Sequence, residues 1–177
     1  MPHLFEPAPT GRAKCRGCGR PIRLGELRFG ECIPNPFAEG ETTLWFHPTC
    51  AAFKRPEPLL AALELAPEQL ESASDRESLR FTAGRSLAHR RLPRIDGAER
   101  APSSQAKCRH CRQPIARGTW RIRLVYFEEG RFSPGGCVHL ACRKAYFEAD
   151  DVWARVLHFS QDLSVADQEA LAGAFEA

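Results

Sequence analysis

The chain has 177 residues, 43% of them hydrophobic, and a formal charge of +3 at neutral pH. That is room for one or two small domains with modest cores, and so mild a positive charge selects no partner by itself. No apolar run is long enough to span a bilayer, and the N-terminus lacks the basic-then-apolar order of a secretory signal. The expectation is an intracellular protein with no membrane association, in the nucleoid or cytoplasm if bacterial and the nucleus if eukaryotic. Eight cysteines in such a chain point to metal or redox chemistry, because the cytosol keeps thiols reduced.

The first element in chain order is a knuckle, Cys15-Arg16-Gly17-Cys18, where Gly17 and Gly19 suit a tight turn. Between residues 22 and 46 apolar positions alternate loosely, as in LRFGECI and TTLWF, which predicts a small antiparallel sheet. His47-Pro48-Thr49-Cys50 then opens a helix, since proline fits a first helical turn. Pro56, Pro58 and Pro67 break the next region into short helices, with Pro67 placed to begin one. Ser74 and Glu77 form a capping-box pair at the head of a further helix that Pro93 stops. Leu79, Ala83 and Leu87, spaced by four, give that helix its apolar side. From Arg80 to Arg100 there are six arginines against two acids, densest at His89-Arg90-Arg91. The commoner fate of such a run is a solvated helix face. Further on, TWRIRLVYF alternates more strictly, with arginines on one face and Ile122 and Leu124 on the other, predicting a second sheet. Near the end, Ser164 is an N-cap, and Val165, Leu171 and Phe175 form the packing face of a last helix.

Much of this is said twice. Sliding the sequence by 93 positions lays Cys15 on Cys108, Cys18 on Cys111, Pro21 on Pro114, Ile22 on Ile115, Gly25 on Gly118 and Arg28 on Arg121. One residue is then dropped, and His47 and Cys50 fall on His139 and Cys142. Each copy reads Cys-x2-Cys, a gap of 28 or 27 residues, then His-x2-Cys. A structural zinc takes four such ligands in a tetrahedron, and a full protein shell leaves no corner for a reactive water. The expectation is two structural zinc ions per chain. Cys32 and Cys137 lie outside the pattern and read as ordinary thiols, with an alternative ligand role open for Cys137 beside His139. A nucleophilic role for either lacks a supporting base.

GRAKCRGC, ELRFGE, NPFAEG and WFHPTC together resemble the PARP-type zinc finger, over about residues 3–74 and again over about 94–177. With the residue reading, this gives an α+β expectation: two small zinc-stabilised modules, residues 1–74 and 94–177, each a short antiparallel sheet with helices. A basic helical connector, 75–93, joins them. The resemblance implies sequence-independent binding of DNA nicks and double-strand ends in repair or damage sensing. By position in the family motif, Arg12 and Arg28 contact phosphate, as does Arg121 in the second copy. Phe37 covers an exposed base pair, with Leu44 as its companion. The second copy departs from the pattern, with Gln105 in place of Arg12 and Cys137 in place of Trp45. Its stacking candidates are Tyr126, Phe127 and Phe132. Arg90 and Arg91 of the connector are placed to touch phosphate. No residues are left for the transferase part of the polymerase, and no ligase or nuclease motif occurs. The chain therefore reads as a binding module without enzymatic activity or small-molecule substrate, with a repair protein as a further partner. The alternative is a zinc-stabilised protein-interaction adaptor with weak DNA affinity.

Overall fold

The computed structural model describes residues 2–65, 70 and 72–176. The elements run β1 (Leu4–Pro7), β2 (Leu27–Pro34), β3 (Glu41–Phe46), α1 (Pro48–Lys54), α2 (Pro56–Leu65), α3 (Ala73–Ala88), β4 (Ile95–Arg100), β5 (Trp120–Glu128), β6 (Arg131–His139), α4 (Arg143–Phe147), α5 (Val152–His158) and α6 (Val165–Glu176). This is the expected α+β fold, with three-stranded sheets β1-β2-β3 and β4-β5-β6. The chain forms two compact units, one of Met1–Pro93 with Phe127–Phe132 and one of Arg94–Tyr126 with Ser133–Ala177.

In the first unit, β2 pairs antiparallel with both neighbours. Strand alternation sends Phe29, Leu44 and Phe46 inward, where Phe29 lies 5.4 Å from Phe5 and 6.3 Å from Phe46 between ring centroids. Gly30 is opposite Trp45, and a Cβ on it would come within 2.8 Å of the indole, so glycine lets that ring lie across the sheet. Residues 35–40 link β2 to β3, closed by Asn35 N–H donating to Gly40 O at 2.9 Å. The helices cover the core. Pro48 sits in the first turn of α1, as expected.

The third helix differs from its sequence reading. Its N-cap is Ser72, whose Oγ accepts from Asp75 N–H at 3.3 Å, and Ser74 lies inside the helix. It ends at Ala88, well before Pro93, because Pro93 belongs to a separate 3-10 turn at Leu92–Arg94. The buried stripe is Leu79, Ala83 and Ser86, whereas Leu87 faces outward. The offset of seven suits the helical period better than eight, and Ser86 resolves its polarity by donating to Ala52 O of α1 at 2.7 Å. Phe81 is left 72% exposed. The helix start expected at Pro67 lies outside the described residues.

In the second unit, β4 pairs antiparallel with β5 across an irregularity between Ile95 and Ala98. Gly97 there has φ +87°, and a Cβ on it would strike Phe159 O at 2.3 Å. Ser160 Oγ accepts from Ala98 N–H at 2.8 Å and donates to Val156 O at 2.6 Å, tying α5 to the sheet. Strands β5 and β6 are joined by Glu129-Gly130, both at positive φ, the signature of a tight two-residue hairpin turn. Ser164 caps α6 as expected, accepting from Asp167 N–H at 3.1 Å. Leu171 is buried, and Phe175 lies 4.8 Å from Trp153, but Val165 points to solvent. As the first residue of α6, Val165 lies outside the turn that reaches the core. Neither β1 nor β4 was expected from the sequence, since both are short and mixed in polarity.

Candidate metal centres

Four side chains converge in each unit. In the first, Cys15, Cys18, His47 and Cys50 bring one ligand atom each within 4.8 Å of all the others, and Cys108, Cys111, His139 and Cys142 do the same in the second. Each knuckle is closed by a backbone bond, Gly19 N–H to Cys15 O at 2.8 Å and Arg112 N–H to Cys108 O at 3.0 Å. The N-cap His47 starts α1 with extended backbone, which sets its ring and Cys50, three residues on, toward one point. His139 precedes a 3-10 turn as its N-cap, and Cys142 is the last residue of that turn.

The spacing fits zinc. Tetrahedral bonds of ordinary length separate a zinc-bound sulfur and nitrogen by about 3.6 Å. Cys18 and Cys50 sulfurs lie 3.4 and 3.8 Å from His47 Nδ1. Cys111 and Cys142 sulfurs lie 3.4 and 4.0 Å from His139 Nδ1. The shared Nδ1 is the ligand nitrogen in both. Two Cys3His groups therefore hold zinc, two ions per chain, in closed structural shells.

The surroundings orient these ligands. Backbone N–H of His47 donates to Cys15 Sγ at 3.3 Å, and that of His139 to Cys108 Sγ at 3.4 Å. The outer imidazole nitrogen is handled differently. His47 Nε2 faces the Glu26 carboxylate at 3.7 Å, whereas His139 Nε2 meets Pro114 O at 3.2 Å. Arg20 also serves only the first centre. Burial works against its charge, but hydrogen bonding to Cys18 and the charges of the three sulfurs hold it above the ordinary arginine value. Gln113 is its counterpart in the second copy.

Proton affinities follow these contacts. Hydrogen bonds with Cys15 and then Cys50 draw Cys18 well below the usual thiol range. Hydrogen bonds with Cys15 and Cys18, then burial, drive Cys50 far above it. His47 is pushed up to about 10, first by Cys15 and then by Cys18. In the second centre burial alone would raise Cys108, but backbone donors at His139, Cys111 and His110 bring it to about 7. Cys142 is pushed to about 12, by burial and then by hydrogen bonding with Cys111. Both clusters concentrate thiolate charge that zinc neutralises while releasing protons.

The family model described as the Poly(ADP-ribose) polymerase and DNA-Ligase Zn-finger region matches residues 6–80. The chain carries a PARP-type zinc-finger region. The poly [ADP-ribose] polymerase of Drosophila melanogaster is 32% identical over 158 residues, covering 80% of this chain and 16% of that protein. That of Sarcophaga peregrina is 29% identical, covering 72% of the chain and 14% of the relative. Poly [ADP-ribose] polymerase 1 of Gallus gallus is 27% identical with the same coverage, 72% and 14%. The chain thus spans about one seventh of the length of these curated relatives, and the part matched by the family model is the zinc-finger region. Among the described residues no helix is long and apolar enough to cross a membrane.

Around these PARP-type centres the other sequence-selected residues fall into two groups. Arg12, Arg90 and Arg91 are exposed, and Phe37 is 94% exposed. Asn35 Oδ1 accepts from Phe37 N–H at 3.0 Å and fixes the turn that displays the ring. Gln105 is exposed where Arg12 stands in the first copy. Leu44, by contrast, is 4% exposed, because β3 alternation turns it into the core, so it does not accompany Phe37 on the surface. Arg28 is 7% exposed, with its guanidinium bound to Glu6 and stacked 3.5 Å above the Trp45 ring. In this conformation it faces the sheet and not a solvent-borne phosphate. Half-buried Arg121 repeats the glutamate pairing, donating from Nη2 to Glu99 at 2.6 Å. Phe127 and Phe132 are half-buried and pair at 4.9 Å, and Tyr126 is half-buried under Arg94 at 4.7 Å.

Glu6 and Glu99 were missed by sequence reasoning although the 93-residue offset joins them. Each is the direct cross-strand partner of its arginine, Glu6 with Arg28 and Glu99 with Arg121. Cys32 is buried, with Sγ 3.3 Å from Pro2 O. Cys137 is also buried, and burial pushes its thiol up.

Proposed function

We propose that the protein binds DNA at nicks and double-strand ends without sequence preference, and that it acts by binding rather than catalysis. The observation that carries this reading is Phe37: a large apolar ring, 94% exposed, on a loop closed at both ends by hydrogen bonds. Among the described residues Phe37 is more exposed than any other large apolar side chain, Phe81 at 72% included. An uncovered base pair at a break gives it a face to stack on, worth about 1–3 kcal/mol per base. Intact duplex offers no such face.

Arg12, exposed on the segment leading into the first knuckle, supplies phosphate attraction, which is independent of sequence and sensitive to salt. Arg90 and Arg91 at the end of the connector add to it. Arg28 and Arg121 enter the reading as residues that lock the sheets under the contact surface. The zinc centres hold the loop scaffold in shape. A role in repair or damage sensing inside the cell, with a repair protein as a further partner, follows from binding of this kind.

The test is a titration of the zinc-loaded chain against nicked, blunt-ended and intact duplex at several salt concentrations. The expected result is tighter binding to the two broken substrates, with affinity falling steeply as salt rises. Weak, salt-insensitive binding to all three would favour a protein-interaction adaptor instead.

A further inference from the structure

Each unit carries a cleft beside its zinc centre, and the two clefts occupy matching positions of the repeat. In the first, Pro7, Glu26, Pro48 and Asp75 are among the lining residues. In the second, Arg100, Thr119, Trp120, Leu140, Arg143 and Lys144 line an open cleft of ≈ 730 Å³. Under the sequence offset, Arg100 replaces Pro7, Arg143 replaces Ala51 and Lys144 replaces Ala52. Three neutral positions have become three cations and Glu26 has become Thr119, while the acid Asp75 of the first cleft keeps its counterpart in Asp167.

These cations are oriented without being fully neutralised. Arg143 donates from Nη1 to Leu140 O at 2.9 Å and from Nη2 to Phe175 O, and it lies 4.3 Å over the Phe175 ring. All of these contacts lack formal charge. Arg100 donates to Gly118 O at 3.2 Å and lies 4.5 Å over Trp120. Among the described residues its acidic neighbour is Asp167, 3.7 Å away and also bound to the Ser164 hydroxyl that caps α6. Lys144 is exposed. Carbonyls and ring faces therefore hold two guanidinium planes in place while leaving their charge in the cleft, an arrangement suited to phosphate. Trp120 is only 8% exposed beneath Arg100, so the site has no platform for a base.

We infer that this cleft of the second unit binds backbone phosphates of a DNA strand. The inference rests on the proposed DNA-binding function and gives the second module a grip of its own where Gln105 has lost one. Its open shape admits a continuing strand, and its ligand is the phosphate and not the nucleobase.

The test compares the full zinc-loaded chain with Lys144→Gln, Arg100→Gln and the double variant, by fluorescence anisotropy on nicked duplex across a salt series. Melting curves check the fold. The double variant is expected to bind about tenfold more weakly at moderate salt, with a log–log salt slope shallower by about 1.8, as for two lost phosphate contacts. Lys144→Gln alone, an exposed change that leaves the core untouched, should lose about half of that slope, and Lys144→Arg should keep it. Wild-type binding with unchanged slopes in the variants overturns the cleft and leaves the proposed function standing. Absence of wild-type DNA binding at any salt overturns both.

Discussion

The two zinc modules share their ligands and almost nothing else that surrounds them. Both use His Nδ1, both aim a backbone N–H at the first cysteine of the knuckle, and both brace the sheet with a cross-strand Arg–Glu pair. Beyond that they diverge. The first has a glycine at the left-handed position of the knuckle, Gly19 at φ +74°, and the second has Arg112 at φ +65°. The first buries Glu31 against Arg55, whose Nε donates at 2.8 Å, and the second has buried Leu124 and Phe147 at the same repeat positions. The first displays Phe37 on a six-residue loop, residues 35–40, whereas the second turns through two residues. Metal ligation and the sheet brace set the fold, and they leave the core polarity and the loops free to specialise.

Metal removal should break the comparison most strongly. Structural zinc contributes about 10–16 kcal/mol of binding free energy in small modules, so each unit depends on its own ion. Metal analysis should give close to two zinc equivalents per chain. Titrating a chelator should release them in two steps. The second centre goes first, since Cys111 is exposed and Cys142 half-buried, while Cys15 and Cys50 of the first are buried. Release in one step, or the first centre emptying earlier, contradicts that order.

Next in size is the buried ion pair. Glu31→Ala leaves Arg55, partly exposed and still over the Phe127 ring, without its carboxylate and should destabilise the first unit by about 1.5–3 kcal/mol in denaturant unfolding. Transplanting the second module's solution, Glu31→Leu with Arg55→Phe, should recover most of the loss. Failure to recover would show that the two cores are not interchangeable at this point.

The smallest effect concerns the knuckles. A non-glycine residue at positive φ costs about 1–2 kcal/mol. Arg112→Gly should therefore raise the second unit's stability by about 1 kcal/mol, and Gly19→Arg should lower the first by a similar amount. Thermal melting of the zinc-loaded variants measures both.

How much of this was legible follows from how local each signal was. The ligands, the proline-started α1 and the cap of α6 depend on neighbours in sequence, and the repeat doubled the signal for the zinc sites. The surface role of Leu44 failed because strand phase decides burial, and TTLWF does not state which face meets the core. Arg28 looked like an exposed cation because its partner Glu6 lies 22 positions away, on a strand too short to recognise. The stripe on α3 was misread by one residue because Ser86 is polar. Its hydroxyl finds Ala52 O only once α1 is in place.

The central claim is that an exposed ring on the first PARP-type module distinguishes broken from intact DNA. It is tested most directly by Phe37→Ala, measured on nicked and intact duplex at one salt concentration. Phe37 makes no core contact, so the variant should fold and bind zinc as the parent does. The account predicts that affinity for the nick falls by about tenfold, the equivalent of about 1.4 kcal/mol of stacking, while affinity for intact duplex barely changes. An equal loss on both substrates, or an unchanged preference for the nick, would contradict it.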